Sequence, residues 1–143
     1  MDINYFNRIE KILRNINHIM NVELRRAASR LDINLTQFYI LTFLTSYPLS
    51  PIGELSRKFE LSPSTMTAHM DILESKGFIV RIREGDDRRV VKLDLTLEGK
   101  SFINNLVENR VEVLKKALLN LDQQKHQDIE EVLSYLEGKL LAS

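Results

Sequence analysis

The chain has 143 residues, and its hydrophobic and charged fractions of 43% and 28% are ordinary for a folded globular protein. This length suffices for one domain with a hydrophobic core. The absence of cysteine excludes disulfides, thiolate metal sites, cysteine nucleophiles and thiol redox switches. No apolar run approaches the ~18 residues that cross a bilayer, and the first residues lack the order of a signal peptide, so we expect a cytoplasmic protein.

Charge is balanced over the whole chain but not along it. Twenty Lys and Arg residues match 20 Asp and Glu residues, which gives a formal net charge of zero. Between Lys76 and Leu93, six basic residues oppose three acidic ones, so this segment carries +3 and the remainder −3. A local basic patch steers one face of a protein toward phosphate, although chance also produces patches of this size.

Two helices are predicted in the first third of the chain. Apolar residues recur at helical spacing from Ile3 to about Ser29 and indicate a long amphipathic helix. Its apolar face is wider than one neighbour needs, so it either contacts a partner or is buried within the monomer. Asn34 and Gln37 resemble a capping pair, which predicts a second helix that ends near Ser46.

Two short helices joined by a brief turn follow a break that is bracketed by prolines. Apolar spacing predicts the first at Ile52–Phe59. The second is predicted at Pro63–Lys76, because Ser62 is a good N-cap and Gly77 can adopt the left-handed conformation that follows a helix. Such a pair is typical of a helix-turn-helix, here over residues 52–76.

The second of these helices has a small, hydroxyl-rich face. Met66, Met70 and Leu73 recur at i, i+4 and i+7 and predict a buried stripe. The opposite side carries Ser64, Thr65, Thr67, Ala68 and Asp71. This face can approach the major groove of DNA closely and offer hydrogen bonds, whereas the alternative is an ordinary capped surface helix.

A β-hairpin is predicted after Gly77. β-branched residues alternate along two strands between residues 79 and 95, and the tip of the hairpin carries Arg88 and Arg89. For these arginines the alternative is a solvated turn. The sequence therefore predicts a two-stranded ribbon with a basic tip.

Two amphipathic helices are predicted at the end of the chain. Thr96 can cap the first, which keeps the helical period for about five turns, and Asp122 can cap the second, which runs to about Leu141. Amphipathic segments at both chain ends would form a dimerisation layer from residues 1–30 and 97–143, unless they fold back on the monomer.

The order of these elements and the amino-acid sequence of the middle segment resemble those of the MarR family of bacterial winged-helix transcription regulators. The matching stretches are INLTQFYIL, IGELSRKFELSPSTMTAHMDILESKGFI and DDRRVVKLDLTLEG, between Ile33 and Gly99. The resemblance implies a mainly α fold with a small β-hairpin wing, a single domain over residues 1–143, and a winged helix-turn-helix lobe at 33–99. It also implies a triangular homodimer with interleaved terminal helices, which binds a pseudo-palindromic operator and is most often a repressor.

Carried over by position, Pro63–Lys76 resembles the recognition helix and residues 79–95 resemble the wing. The residues expected at DNA are Ser62, Ser64, Thr65, Thr67, Ala68, His69 and Asp71 of the helix, with Asp87, Arg88, Arg89 and Lys92 of the wing. The family's Asp-x-Arg element holds an arginine for the minor groove, and it reads Asp87-Arg88-Arg89 here. A carboxylate two residues back on a strand faces the same side, so Asp87 can orient Arg89 toward a narrow A·T-rich groove.

The recognition helix also departs from the family pattern. Many relatives carry a basic side chain where this sequence has Ala68 and Ile72, and Asp71 and Glu74 make the helix slightly acidic. Because no arginine is available there for guanine, we expect hydroxyls, thymine methyl contacts and groove shape to carry base reading. The acidic helix leaves open an alternative, a winged-helix protein-interaction module that no longer binds DNA.

Residues for catalysis or metal binding are not recognised in the sequence. The three histidines are far apart and lack partners at metal-ligand spacing. We therefore expect the protein to have no metal site, no cofactor and no enzymatic activity. The family resemblance implies a candidate pocket for a small-molecule effector of unknown identity. Its lining would include Phe38, Tyr39 and Phe43, for which plain core is the alternative.

Overall fold

The computed structural model of the chain describes residues 2–83, 85–86 and 89–143. Its described part is mainly α-helical and includes a small antiparallel sheet, as predicted. The chain divides into two compact units, Met1–Arg110 and Val111–Ser143. Across the described ranges, every helix falls short of the combination of length and apolarity that a membrane span requires.

The first two helices have the bounds that the sequence predicts. Helix α1 spans Ile3–Ser29 and buries apolar side chains only in its second half. Helix α2 spans Leu35–Ser46 and starts at a complete capping box. The Gln37 amide accepts from Asn34 N at 3.1 Å, while Gln37 N donates to the Asn34 side chain at 2.9 Å. These two hydrogen bonds satisfy free backbone donors of the first turn.

Helices α3 and α4 form the predicted helix-turn-helix. Helix α3 spans Ile52–Lys58 and helix α4 spans Pro63–Ser75. Ser62 caps α4, since its hydroxyl accepts from Thr65 N at 3.2 Å. Both helices pack against the hydrophobic core, which also contains the buried side chains of α2, so the inner side of α4 is anchored by the core.

The sheet contains one strand more than the sequence predicts. Strands β2, Ile79–Ile82, and β3, Lys92–Leu95, form the predicted hairpin, but β1, Ser50–Pro51, also pairs with β3. The strand order is β1-β3-β2, and all pairs are antiparallel. The break between the prolines is therefore an edge strand, a place where proline is tolerated because its missing N–H is not needed.

Two long helices complete the chain. Helix α5 spans Leu97–Leu118 after the predicted cap, because Thr96 Oγ1 accepts from Gly99 N at 3.0 Å. Helix α6 spans Gln123–Leu141, and the Asp122 side chain accepts from Lys125 N at 2.9 Å. No residue of α6 is buried.

Helices α3 and α4 end in the same backbone motif with different residues at its left-handed position. After α4, Gly77 has φ +75°, Gly77 N donates to Glu74 O at 2.9 Å and Phe78 N donates to Leu73 O at 3.0 Å. After α3, Glu60 takes the equivalent place with φ +53° and equivalent hydrogen bonds. Glycine adopts this conformation without strain, whereas a residue with a Cβ is strained in it.

Replacing Glu60 with glycine is therefore expected to stabilise the protein. Left-handed backbone costs a residue with a Cβ about 1–2 kcal/mol, and the greater freedom of glycine in the unfolded chain offsets part of that gain. We expect the free energy of unfolding to rise by about 0.5–1 kcal/mol in urea titrations followed by circular dichroism. Glu60→Ala keeps the strain and removes the charge. An equal gain in that control would show that the carboxylate, not the backbone, is responsible.

Candidate DNA-binding interface

Helix α4 presents the small polar face that its sequence predicts. Met66, Met70 and Leu73 are fully buried. The exposed predicted residues are Ser62, Ser64, Thr65, Thr67, Ala68 and Asp71. At the start of the helix the Ser62 hydroxyl donates to Thr65 Oγ1 at 2.8 Å and lies 3.2 Å from Ser64 Oγ. This hydroxyl cluster can donate to or accept from a nearby phosphate or base edge.

His69 lies between the exposed face and the core. It is partly buried, and its Nδ1 is 3.3 Å from Nε2 of the buried Gln37 on α2. The capping box fixes the direction of that hydrogen bond, because Gln37 Oε1 already accepts from Asn34 N. The amide nitrogen therefore donates to Nδ1, and in the neutral imidazole Nε2 carries the proton. His69 thus connects the predicted recognition helix to α2.

Arg81 is a functional candidate that sequence analysis counted only as part of the basic patch. It belongs to β2, yet its guanidinium lies on α4, where Nη2 is 2.6 Å from Asp71 Oδ1 and Nη1 is 3.4 Å from Glu74 Oε1. The spacing of Asp71 and Glu74 places them on one helix face. That spacing indicates that one basic side chain could pair with both carboxylates. The sequence does not identify Arg81 as that side chain, because the pairing depends on the reversal of the chain at Gly77.

The wing is described only in part. Ile82 pairs with Lys92, which is partly buried, and Arg89 lies exposed in the turn before β3. Asp87 and Arg88 fall outside the described residues, so the predicted contact between Asp87 and Arg89 stays a prediction. Arg89 lies in the connection between β2 and β3, which pair to form the hairpin, and β2 packs against α4.

The three aromatic residues of the predicted effector pocket have different surroundings. Phe38 is buried and meets Tyr39 edge to face, with 5.3 Å between ring centroids. The Tyr39 hydroxyl donates to Asn21 Oδ1 on α1 at 3.1 Å. Phe43 instead stacks on Tyr47 at 4.7 Å. Phe38 is therefore a core residue, and a pocket shared by all three rings remains a prediction.

An open groove of about 460 Å³ lies between α3 and α4. Arg57 and Thr67 both line it, so an exposed cation of α3 is close to the hydroxyl face of α4. The sequence does not link Arg57 to this face, because the two helices come together only in the fold. Within the described ranges, no cluster of three or more His, Asp or Glu side chains could hold a metal ion.

Helices α3 and α4 with the three-stranded sheet make up a winged helix-turn-helix. The sequence profile of the MarR family matches residues 33–91. The HTH-type transcriptional regulator YsmB of Bacillus subtilis (strain 168) is 35% identical over 107 residues, which cover 75% of this chain and 73% of YsmB. This chain therefore belongs to the MarR family of transcriptional regulators.

Solved structures share the architecture. A MarR family protein from Bacillus stearothermophilus is 28% identical, with a TM-score of 0.88 and 99% of each chain covered. A cysteine-to-serine mutant of MarR from E. coli, solved in complex with operator DNA, is 22% identical, with a TM-score of 0.66. That alignment covers 95% of this chain and 99% of the E. coli chain. The second likeness concerns the fold alone.

Proposed function

We propose that this protein regulates transcription by binding a pseudo-palindromic operator as a homodimer, and that it acts as a repressor. The observation that carries the proposal is the exposed hydroxyl face of α4. The opposite side of this helix is a fully buried Met-Met-Leu stripe, and the helix contacts the wing strand β2. Such a helix is held rigidly enough to enter a major groove. We assign no enzymatic activity to the chain.

Each part of the proposed DNA-binding lobe, residues 33–99, has its own role. Hydroxyl and methyl groups of α4, among them Thr67 and Ala68, read base edges, while Ser62, Ser64 and Thr65 bind near phosphates. Arg89, oriented by Asp87, enters the minor groove, and Arg88 and Lys92 add positive charge. Base reading and electrostatic attraction are therefore divided between the helix and the wing.

The proposed dimer uses the terminal helices, residues 1–30 and 97–143. Support comes from α1, which exposes apolar side chains over its first half, among them Ile9, Leu13 and Ile16. A row of this kind is more apolar than a soluble helix surface needs and fits a second copy of the chain. Two copies would place their α4 helices in major grooves about 34 Å apart. Phe38, Tyr39 and Phe43 are the proposed lining of an effector pocket.

The proposal predicts different losses from the helix and from the wing. Fluorescence anisotropy with a duplex selected from a random pool should show wild-type binding that weakens steeply with salt. Arg89→Ala should weaken binding to most duplexes about ten-fold and reduce the salt slope by about one. Thr67→Ala should instead change which duplex is selected, since a base contact contributes about 1–3 kcal/mol of discrimination.

A matched control removes a cation elsewhere. Lys11→Ala deletes an exposed lysine which, at 3.6 residues per turn, lies on the side of α1 opposite Ile9 and Leu13, and it should leave duplex affinity unchanged. Absence of salt-sensitive binding by the wild type would refute the proposal, and so would unchanged binding by Arg89→Ala.

A further inference from the structure

An ion pair connects the wing to the proposed recognition helix. The Arg81 guanidinium of β2 donates to Asp71 Oδ1 at 2.6 Å, to Glu74 Oε1 at 3.4 Å and, at 3.5 Å, to the backbone oxygen of Thr67. All three acceptors belong to α4, and they span two turns of that helix. One side chain of the sheet therefore fixes the middle of α4.

Burial separates Arg81 from an ordinary surface arginine. Its side chain is 25% exposed, whereas Asp71 and Glu74 are 61% and 43% exposed. The guanidinium is thus partly covered beneath two carboxylates that face outward. A planar guanidinium with several fixed donors suits this arrangement, because it can serve both carboxylates and a backbone oxygen at once.

The position of the two carboxylates gives the ion pair its electrostatic consequence. They lie on the helix that is proposed to enter the major groove, where they would be repelled by phosphates. Arg81 supplies a compensating positive charge from inside the lobe. Both of its terminal nitrogens donate to α4, so the guanidinium faces this helix.

We propose that Arg81 is a positioning residue for DNA binding, which holds the wing strand against α4 and neutralises Asp71 and Glu74 without contacting DNA. This inference rests on the proposed function. It also accounts for an acidic recognition helix in a DNA-binding protein, which the sequence alone left as a reason to consider a protein-interaction module.

Salt dependence distinguishes positioning from direct contact. A cation that touches phosphate releases counterions, so its removal lowers the slope of log affinity against log salt by about one. A cation that acts through Asp71 and Glu74 leaves that slope nearly unchanged. The DNA affinity that is lost with such a cation should instead be restored by also removing the carboxylate that the cation neutralises.

The test uses the full-length chain and a duplex selected from a random pool. Arg81→Ala is expected to weaken binding about ten-fold with an unchanged salt slope, because two carboxylates are released toward the phosphates. Arg81→Ala combined with Asp71→Asn should recover to within about three-fold of the wild type. Arg81→Ala combined with Asp94→Asn is the matched control. Asp94 is a carboxylate of β3 that accepts from its neighbour Leu95 N, and its removal should restore nothing.

A second measurement keeps folding separate from binding. Urea unfolding of Arg81→Ala, Asp71→Asn and the double variant should show non-additive shifts of the midpoint, as expected for residues in contact. A salt slope that falls by about one in Arg81→Ala, with no recovery on adding Asp71→Asn, would overturn the proposal in favour of a phosphate contact. Absence of duplex binding by the wild type would refute the proposed function itself, while additive urea shifts would refute only the ion-pair coupling.

Discussion

Replacing Gly99 with alanine is expected to reduce the free energy of unfolding by about 3 kcal/mol or more. A Cβ at this position would overlap the Phe78 carbonyl oxygen and lie 3.0 Å from the carbonyl carbon. These are backbone atoms, so no side-chain rotation can relieve the overlap. The same carbonyl accepts from Thr96 N at 3.0 Å, and the Thr96 hydroxyl donates to Gly77 O at 2.5 Å. The start of α5 would have to move away from β2 and break this junction.

Gly138 provides the matched control, because it receives the same substitution in open space. Apart from its chain neighbours and the adjacent backbone of its own helix, no atom of the described residues lies within 4 Å of a Cβ built there, and the residue is inside helix α6. Alanine should therefore stabilise the protein by about 0.8–1 kcal/mol through helix propensity alone. Both variants should be unfolded in urea at equal chain concentration, since an oligomer's stability depends on concentration. A loss below about 1 kcal/mol in Gly99→Ala would mean that α5 can shift without cost.

Local rules were sufficient to predict the helices. The capping residues Asn34, Ser62, Thr96 and Asp122 all accept from backbone N–H groups as expected. The stripe of Met66, Met70 and Leu73 is buried because its spacing matches the helical period. These features depend on residues within one or two turns of each other, which a single sequence displays directly.

Features that depend on distant pairing were missed. Strand β1 has two residues and contains a proline, so neither length nor alternation could reveal its pairing with β3. The contacts of Arg81 require the chain to reverse at Gly77 and bring β2 beside α4. The acidity of α4 is a further example, since formal charge in the sequence does not show which carboxylates are already paired.

The apolar row on α1 leads to the prediction with the largest expected effect on binding. Ile16 is 49% exposed, and it lies on the same helix face as Ile9 and Leu13. Leaving this row in water costs free energy that a second copy of the chain would recover by covering it. In a two-fold dimer each interface residue occurs twice, so one substitution changes the interface at two places.

Ile16→Glu is therefore expected to weaken the dimer at least about 100-fold, since a buried unpaired carboxylate costs several kcal/mol. Duplex affinity should fall at least as much, because a monomer engages only one half-site and loses the gain from linked binding.

Asn7→Glu is the matched control. It introduces the same charge nine residues earlier, which at 3.6 residues per turn is the opposite face of α1, and this position is exposed. Analytical ultracentrifugation and anisotropy should show a monomer with weak binding for Ile16→Glu and wild-type behaviour for Asn7→Glu. A dimer that survives Ile16→Glu would exclude this face of α1 from the interface.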